Sequence, residues 1–352
     1  MSFRKPLRIL IISMTAISRS TATGSLLSDL FANEQPSNIM QITCSDIRDE
    51  ESNKYTLKVI VKGCSNYLTR RSSLYSFYKN RLPSNYAAIM NKVQEFEPEL
   101  IYLRIVDKPV SLNNLALIVQ QELRVPLVLH VMDDYEMALA NSTSFLDRHF
   151  YRKMFSKTVR ALLQSSTLNL SISERMSEAF KVRYGHDFYP IHNGIDPDDW
   201  SDHPRFHAPG DGRSFRFVLA GALAKNKELD SAYTFANCVD LINRTTNYDI
   251  ELLLNVQKSF LDVAQRWAGR FSGVTAQGFL NVSEYRDLLK TASCLVLCKN
   301  FDDKTKGYTE LSFHNKLPEY LASGTPIMCF APSWDQSSEY LVKNDYGCVV
   351  NK

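Results

Sequence analysis

Apolar residues in this chain come in short unbroken runs, separated by longer stretches in which they recur every three or four positions. Runs at 8–13, 57–61, 100–105, 126–131 and 168–172 are rich in Ile, Leu and Val and predict strands. The clearest helical stretch is 147–163, where Phe150, Tyr151, Met154, Phe155, Val159, Leu162 and Leu163 fall on one face. Strands that are apolar throughout and alternate with helices indicate a parallel sheet covered on both sides.

The alternation breaks after Asn193 and resumes near Ser214. The intervening segment holds Pro197, Pro204, Pro209, Gly210, Gly212 and five aspartates, which is linker chemistry. Beyond it, 215–220, 250–254, 294–297 and 326–330 predict strands, and 228–243, 283–290 and 315–323 predict helices. The expected organisation is a first domain over 1–195, a linker over 196–214 and a second domain over 215–352. Two doubly wound α/β domains facing across a cleft follow, with ligands beyond the carboxyl ends of the strands. There is no internal repeat and no low-complexity tract.

Composition narrows the function without naming it. The 352 residues are 44% apolar and 22% charged, ordinary for a globular protein, and the net charge of +3 gives no reason to expect nucleic acid. Seven scattered cysteines suggest no disulfide framework. Cys294 and Cys298 lie in an apolar run and are expected in the core, since no second Cys/His pair at zinc spacing accompanies them. No signal peptide or spanning segment is visible, so a cytoplasmic protein is expected. No G-x-G-x-x-G occurs, which argues against a nicotinamide dehydrogenase.

The stretch with the most chemical content is Ser312-Phe-His-Asn-Lys-Leu-Pro-Glu-Tyr-Leu-Ala-Ser-Gly-Thr-Pro-Ile327. A loop enters a short helix, Gly324 ends it, and Pro326 opens a strand. The helix N-terminus offers backbone N–H groups suited to a diphosphate. Lys316 adds a cation in the first turn, and the Glu319 carboxylate, one turn on, can accept two ribose hydroxyls. An ordinary helix–strand unit with solvated Lys and Glu is the competing reading.

This segment resembles the donor-site motif of GT-B glycosyltransferases, in particular glycosyltransferase family 4 and its members with a Lys-x-x-Glu-Tyr pattern, matched by Lys316, Glu319 and Tyr320. The resemblance implies two Rossmann-like domains, a donor ribose on Glu319, and a diphosphate and sugar against Ser312, His314, Asn315 and Lys316. Leu219-Ala-Gly-Ala-Leu-Ala-Lys-Asn-Lys227 resembles the first loop of the donor domain, with Gly221 at its start. Spacing favours Lys227 as the phosphate-binding lysine over Lys225, and fixed positive charge there serves a leaving nucleoside diphosphate without a metal. The stretch 172–196 resembles the exit from the acceptor domain. Leu129-His-Val-Met-Asp-Asp-Tyr135 resembles the acceptor-domain loop near the reacting centre, and Ser13–Ser25 the small-residue loop of that domain.

The candidate residues are therefore Asp133 and Lys227 for catalysis, and Gly24, His130, Asp133 and Asp134 for the acceptor. Adjacent carboxylates usually point apart, so a helix cap competes for one aspartate, and His130, inside a strand, has a core reading. The chain departs from the family pattern at three places: Leu311 stands where a glutamate is usual, Ala222 where an arginine is frequent, and Met132 where a histidine is expected. It also stops just after an expected strand at its C-terminus, before the helices with which the family continues.

The activity implied is sugar transfer from a nucleotide-diphosphate donor to a glycan or lipid-linked acceptor, retaining and metal-independent, with no cofactor, in surface polysaccharide or glycoconjugate biosynthesis. A nucleotide-sugar epimerase or a phosphorylase on the same scaffold, and a non-catalytic sugar-nucleotide-binding subunit, are the alternatives. Two basic stretches suit peripheral contact with a membrane face. One is 67–81, with Arg70, Arg71, Lys79 and Arg81 among Tyr75, Phe77 and Tyr78. The other is the polar face of 147–163, with Arg148, Arg152, Lys153, Lys157 and Arg160.

Overall fold

The computed structural model describes residues 6–44, 49–61, 83–107, 110–200, 212–278 and 280–351. The basic stretch 67–81, and 201–211 of the expected linker, lie outside the described residues. The chain packs as two compact units, Met1–Gly194 and Ile195–Lys352.

In the first unit, parallel strands lie in the order β3-β2-β1-β4-β5-β6-β7. They are β1 (Ile9–Ser13), β2 (Ile39–Thr43), β3 (Lys58–Ile60), β4 (Leu100–Arg104), β5 (Leu127–Val131), β6 (Leu168–Ser171) and β7 (Tyr189–Pro190). β1 and β2 are buried along their whole length, as a sheet with helices on both faces requires. The helix expected over 147–163 is a π-helical turn, Asp147–Tyr151, followed by an α-helix, Arg152–Ser165. Tyr151, Phe155, Val159, Leu162 and Leu163 are buried as the periodicity predicts. Phe150 is exposed: it lies within the π turn, where the wider spacing takes this position off the α-helical stripe while Tyr151 stays on it.

In the second unit, six parallel strands lie in the order β10-β9-β8-β11-β12-β13. They are β8 (Ser214–Gly221), β9 (Asp249–Val256), β10 (Val274–Gln277), β11 (Cys294–Cys298), β12 (Ile327–Phe330) and β13 (Cys348–Val350). Alternate residues of β11 feed two cores. Val296 and Cys298 pack with Phe235 and Trp267 on one face, and Leu295 and Leu297 with Leu317 and Tyr320 on the other. Both sheets run outward from a central pair, β1/β4 in one and β8/β11 in the other. That pair marks the switch point where open α/β sheets bind ligands.

Candidate functional site

At the switch point of the second sheet, β8 and β11 part early. β8 stays in register with β9 as far as Gly221 opposite Val256, but pairs with β11 only at Phe217–Cys294 and Val218–Leu295. The N–H of Ala220 donates instead to the Tyr320 hydroxyl at 3.1 Å. Tyr320 is fully buried, so this bond fixes the helix Leu317–Ser323 against the end of β8. The next residue, Gly221, has φ +125°, a conformation that L side chains rarely adopt, and the space where its Cβ would stand is open. Gly221 thus brings backbone to the carboxyl edge with room for a ligand above it.

The loop from Gly221 runs into the helix Leu229–Thr245. Its conformation is held by Asn300, which sequence reasoning missed. The Asn300 carboxamide oxygen accepts from the N–H of Asp230 (3.0 Å) and Ser231 (3.2 Å). Its amide donates to the Lys225 carbonyl (3.0 Å), and its backbone N–H to the Lys227 carbonyl (2.7 Å). Asn300 is buried two residues past β11, so a remote side chain caps the helix and clamps the loop. The two candidate lysines differ in placement. Lys225 is exposed, whereas Lys227 is half-buried with its ammonium 4.8 Å above the Tyr308 ring.

The helix Leu317–Ser323 presents fewer free N–H groups than expected. The Leu317 N–H donates to the His314 carbonyl (3.1 Å), Pro318 has none, and the Tyr320 N–H goes to Lys316 (3.0 Å). The charged side chains are organised more tightly than the sequence suggests. Glu319 Oε2 accepts from Lys316 Nζ and from the Tyr285 hydroxyl, each at 3.1 Å, and Lys316 Nζ lies 4.6 Å from the Tyr285 ring centroid. Burial, and then the Glu319 charge, push the Tyr285 hydroxyl well above its usual range, so it stays a donor. Among the described residues Glu319 Oε1 accepts no hydrogen bond, and one edge of an oriented carboxylate remains for hydroxyl donors. Of the remaining loop residues, Ser312 is buried, Asn315 is exposed, and the His314 N–H donates to the Ser337 hydroxyl (2.9 Å). The His314 side chain is nine-tenths buried. Burial, then Lys299 and Lys227, hold its imidazole well below the usual histidine range.

In the first unit the candidates separate. His130 is fully buried, shares a 2.6 Å hydrogen bond with the Tyr102 hydroxyl, and is pushed down to about 3 by burial and Arg104. Asp134 caps the helix Tyr135–Ala140 through the Met137 N–H, and both its oxygens take Arg183 at 2.7 Å. Asp133 is half-buried. Gly24 lies inside the helix Ala22–Leu30, where a Cβ would meet Ser18 O, Thr21 Oγ1 and Ala16 O at 2.7–2.8 Å. The loop before it is occupied by Asp49, whose Oδ2 accepts from the Ser18 hydroxyl and the Arg19 and Ser20 N–H groups. Burial opposes that charge, but hydrogen bonds from Ser18, Ser52 and Ser20 hold the carboxyl down at about 2. The loop's N–H groups therefore already carry an internal carboxylate.

No family model and no curated protein matches the chain in sequence. Solved structures do match in fold. A trehalose-phosphate synthase of Burkholderia xenovorans, described as UDP-forming and solved with glucose-6-phosphate, is 13% identical with a TM-score of 0.61, over 99% of this chain and 89% of that one. WaaG, a glycosyltransferase involved in lipopolysaccharide biosynthesis, is 13% identical with a TM-score of 0.59, over 98% and 86%. A Listeria monocytogenes protein assigned as a UDP-N-acetylglucosamine 2-epimerase is 10% identical with a TM-score of 0.53, over 93% and 79%. Among the described residues no helix is long and apolar enough to cross a membrane. The parallel seven- and six-stranded sheets are those of the GT-B α/β fold that glycosyltransferases use.

Proposed function

We propose that this chain is a family 4-like glycosyltransferase of the Lys-x-x-Glu-Tyr branch, and that it moves a sugar from a uridine or guanosine diphosphate donor held by the second unit. The observation that carries this is the Glu319 carboxylate, fixed on one oxygen by Lys316 and Tyr285 and open on the other. It has the orientation and free lone pairs that a ribose diol needs. The diphosphate lies over Gly221, Lys227, Lys225 and the 312–316 loop, and lysine charge stabilises the leaving nucleoside diphosphate without a metal. Retention at the anomeric carbon follows the family resemblance. The acceptor, a glycan or lipid-linked saccharide, is received by the first unit near Asp133 and the loop to Gly24, with His130 and Asp134 supporting it from beneath. Contact with a membrane face is favoured by exposed Phe145 and Phe150 beside exposed Arg148, Arg152 and Lys153.

The test combines a thermal-shift screen of nucleotide sugars with calorimetry. A cognate nucleotide raises the melting temperature by mass action. Glu319→Ala weakens its binding by about 2–4 kcal/mol, for two hydrogen bonds to a charged group. Unchanged affinity in that variant removes the ribose from Glu319. The likeness to an epimerase fold favours a second reading, nucleotide-sugar epimerisation. Conversion of the donor sugar to its epimer with no acceptor present would select it.

A further inference from the structure

Three ionisable side chains outside the helix and lysine loop converge in the second unit. Lys299 follows β11, its N–H donating to the Phe330 carbonyl at the end of β12 (3.1 Å) and its carbonyl accepting from Ser231 (2.8 Å). Asp335 caps the helix Gln336–Asn344 through the Ser338 N–H (3.1 Å). His314 comes from the loop that precedes Lys316. Lys299 and Asp335 are 3% and 0% exposed. Lys299 Nζ lies 3.9 Å from Asp335 Oδ1, and His314 Nε2 lies 3.9 Å from Asp335 Oδ2.

Neither separation is a hydrogen bond. Among the described residues Asp335 Oδ1 and His314 Nε2 are buried with no hydrogen-bond partner. Folded proteins rarely leave such atoms unmatched, because each forfeits the hydrogen bonds it made to water. Burial pushes the Asp335 carboxyl up while Lys299 holds it down, and the imidazole, neighboured by Lys299 and Lys227, is kept neutral. The Lys299 ammonium and the neutral imidazole face one carboxylate across gaps too long for hydrogen bonds, so the ammonium's donors are left for another acceptor. A ligand with acceptor oxygens matches that arrangement.

We propose that Lys299 is a further binding residue for the phosphates of the nucleotide, acting with Lys227 and His314, and that Asp335 is the counter-charge that keeps its ammonium buried when the site is empty. This rests on the donor-site reading given above. A buried lysine with no counter-ion would lose its proton or expel its side chain. Asp335, near enough to hold the charge but too far for a direct hydrogen bond, leaves the Lys299 donors for a phosphate oxygen.

The test is calorimetry of the full chain with UDP, GDP and inorganic pyrophosphate. Lys299→Met strands the Asp335 charge and can fail to fold for that reason alone. The decisive protein is therefore Lys299→Met/Asp335→Asn, which removes both charges and keeps an Asn at the helix cap. It is expected to bind about tenfold more weakly than wild type, the weight of a charge-assisted hydrogen bond, while Asp335→Asn alone binds at least as tightly as wild type. Wild-type affinity in the double variant overturns the proposal and leaves the donor site standing. If wild type binds none of the three probes, the donor site falls and Lys299 with it. Pyrophosphate lacks the base, so a Lys299-dependent affinity for it sustains the proposal even where UDP and GDP are the wrong nucleosides.

Discussion

The Tyr320 hydroxyl accepts the Ala220 N–H at 3.1 Å, so a helix residue takes over a strand donor where β8 and β11 diverge. A bond between a buried tyrosine and the residue before Gly221 couples the Glu319 helix to the lysine loop. Tyr320→Phe keeps the ring but strands the Ala220 N–H. The expected loss is about 1–3 kcal/mol of stability, the cost of an unsatisfied buried donor, with a raised KM for the donor. Urea denaturation and initial rates check both, and a variant as stable as wild type would show that the bond carries no weight.

Asn300 holds the loop from the other side. Asn300→Ala removes its bonds to the Lys225 carbonyl and to the Asp230 and Ser231 N–H groups. Losing a cap of this kind costs about 0.5–2 kcal/mol, and the loosened lysine loop is expected to raise donor KM severalfold. Destabilisation with an unchanged donor KM would mean that the loop keeps its shape without Asn300.

The sequence shows most of the strands because buried parallel strands are written as unbroken apolar runs. It hides β2, where Gln41 and Thr43 interrupt the pattern yet are buried. Gln41 is affordable inside because its side-chain oxygen accepts the Ile17 N–H (2.7 Å). Phe150 was misplaced because a π turn carries no compositional signature. In the site, the Lys-x-x-Glu-Tyr pattern identifies Lys316, Glu319 and Tyr320, but not that Tyr320 is a core hydroxyl. Lys299, Asn300 and Asp335 were not found, since their roles depend on the ends of β11 and β12 meeting in space. Polar residues directly after a buried strand, as Lys299 and Asn300 are, are the signal that was there to use.

Acid should weaken the first unit through His130. Its pKa is about 3 in the fold against an ordinary value near 6.5. The native state therefore holds no proton where the unfolded chain binds one. This contribution is complete above about pH 6.5 and is lost as pH falls toward 3, at up to about 1.4 kcal/mol per pH unit. His314, also held low, acts in the same direction in the second unit. His130→Gln keeps a hydrogen-bonding group opposite the Tyr102 hydroxyl but does not titrate. Stability measured by denaturant between pH 6.5 and 4.5 should fall less steeply in that variant, and an identical slope would show that His130 titrates alike in the folded and unfolded states.

Lys227 and Lys225 sit two residues apart, and their placement assigns them unequal parts. Lys225 is exposed, its carbonyl anchored by Asn300, whereas Lys227 is half-buried over Tyr308 and close enough to lower the His314 pKa. A charge on that partly dehydrated side acts more strongly on a leaving diphosphate than one in open water. Lys227→Ala is expected to lower kcat by about 10²–10³, the usual effect of deleting one group that stabilises developing negative charge. Lys225→Ala, losing a solvated charge, should change it less than about threefold. The comparison belongs in the presence and absence of EDTA. Should the wild type lose activity to EDTA and recover it with Mn²⁺, a metal rather than Lys227 meets the diphosphate charge. Equal losses from the two lysine variants would remove the distinction that burial draws between them.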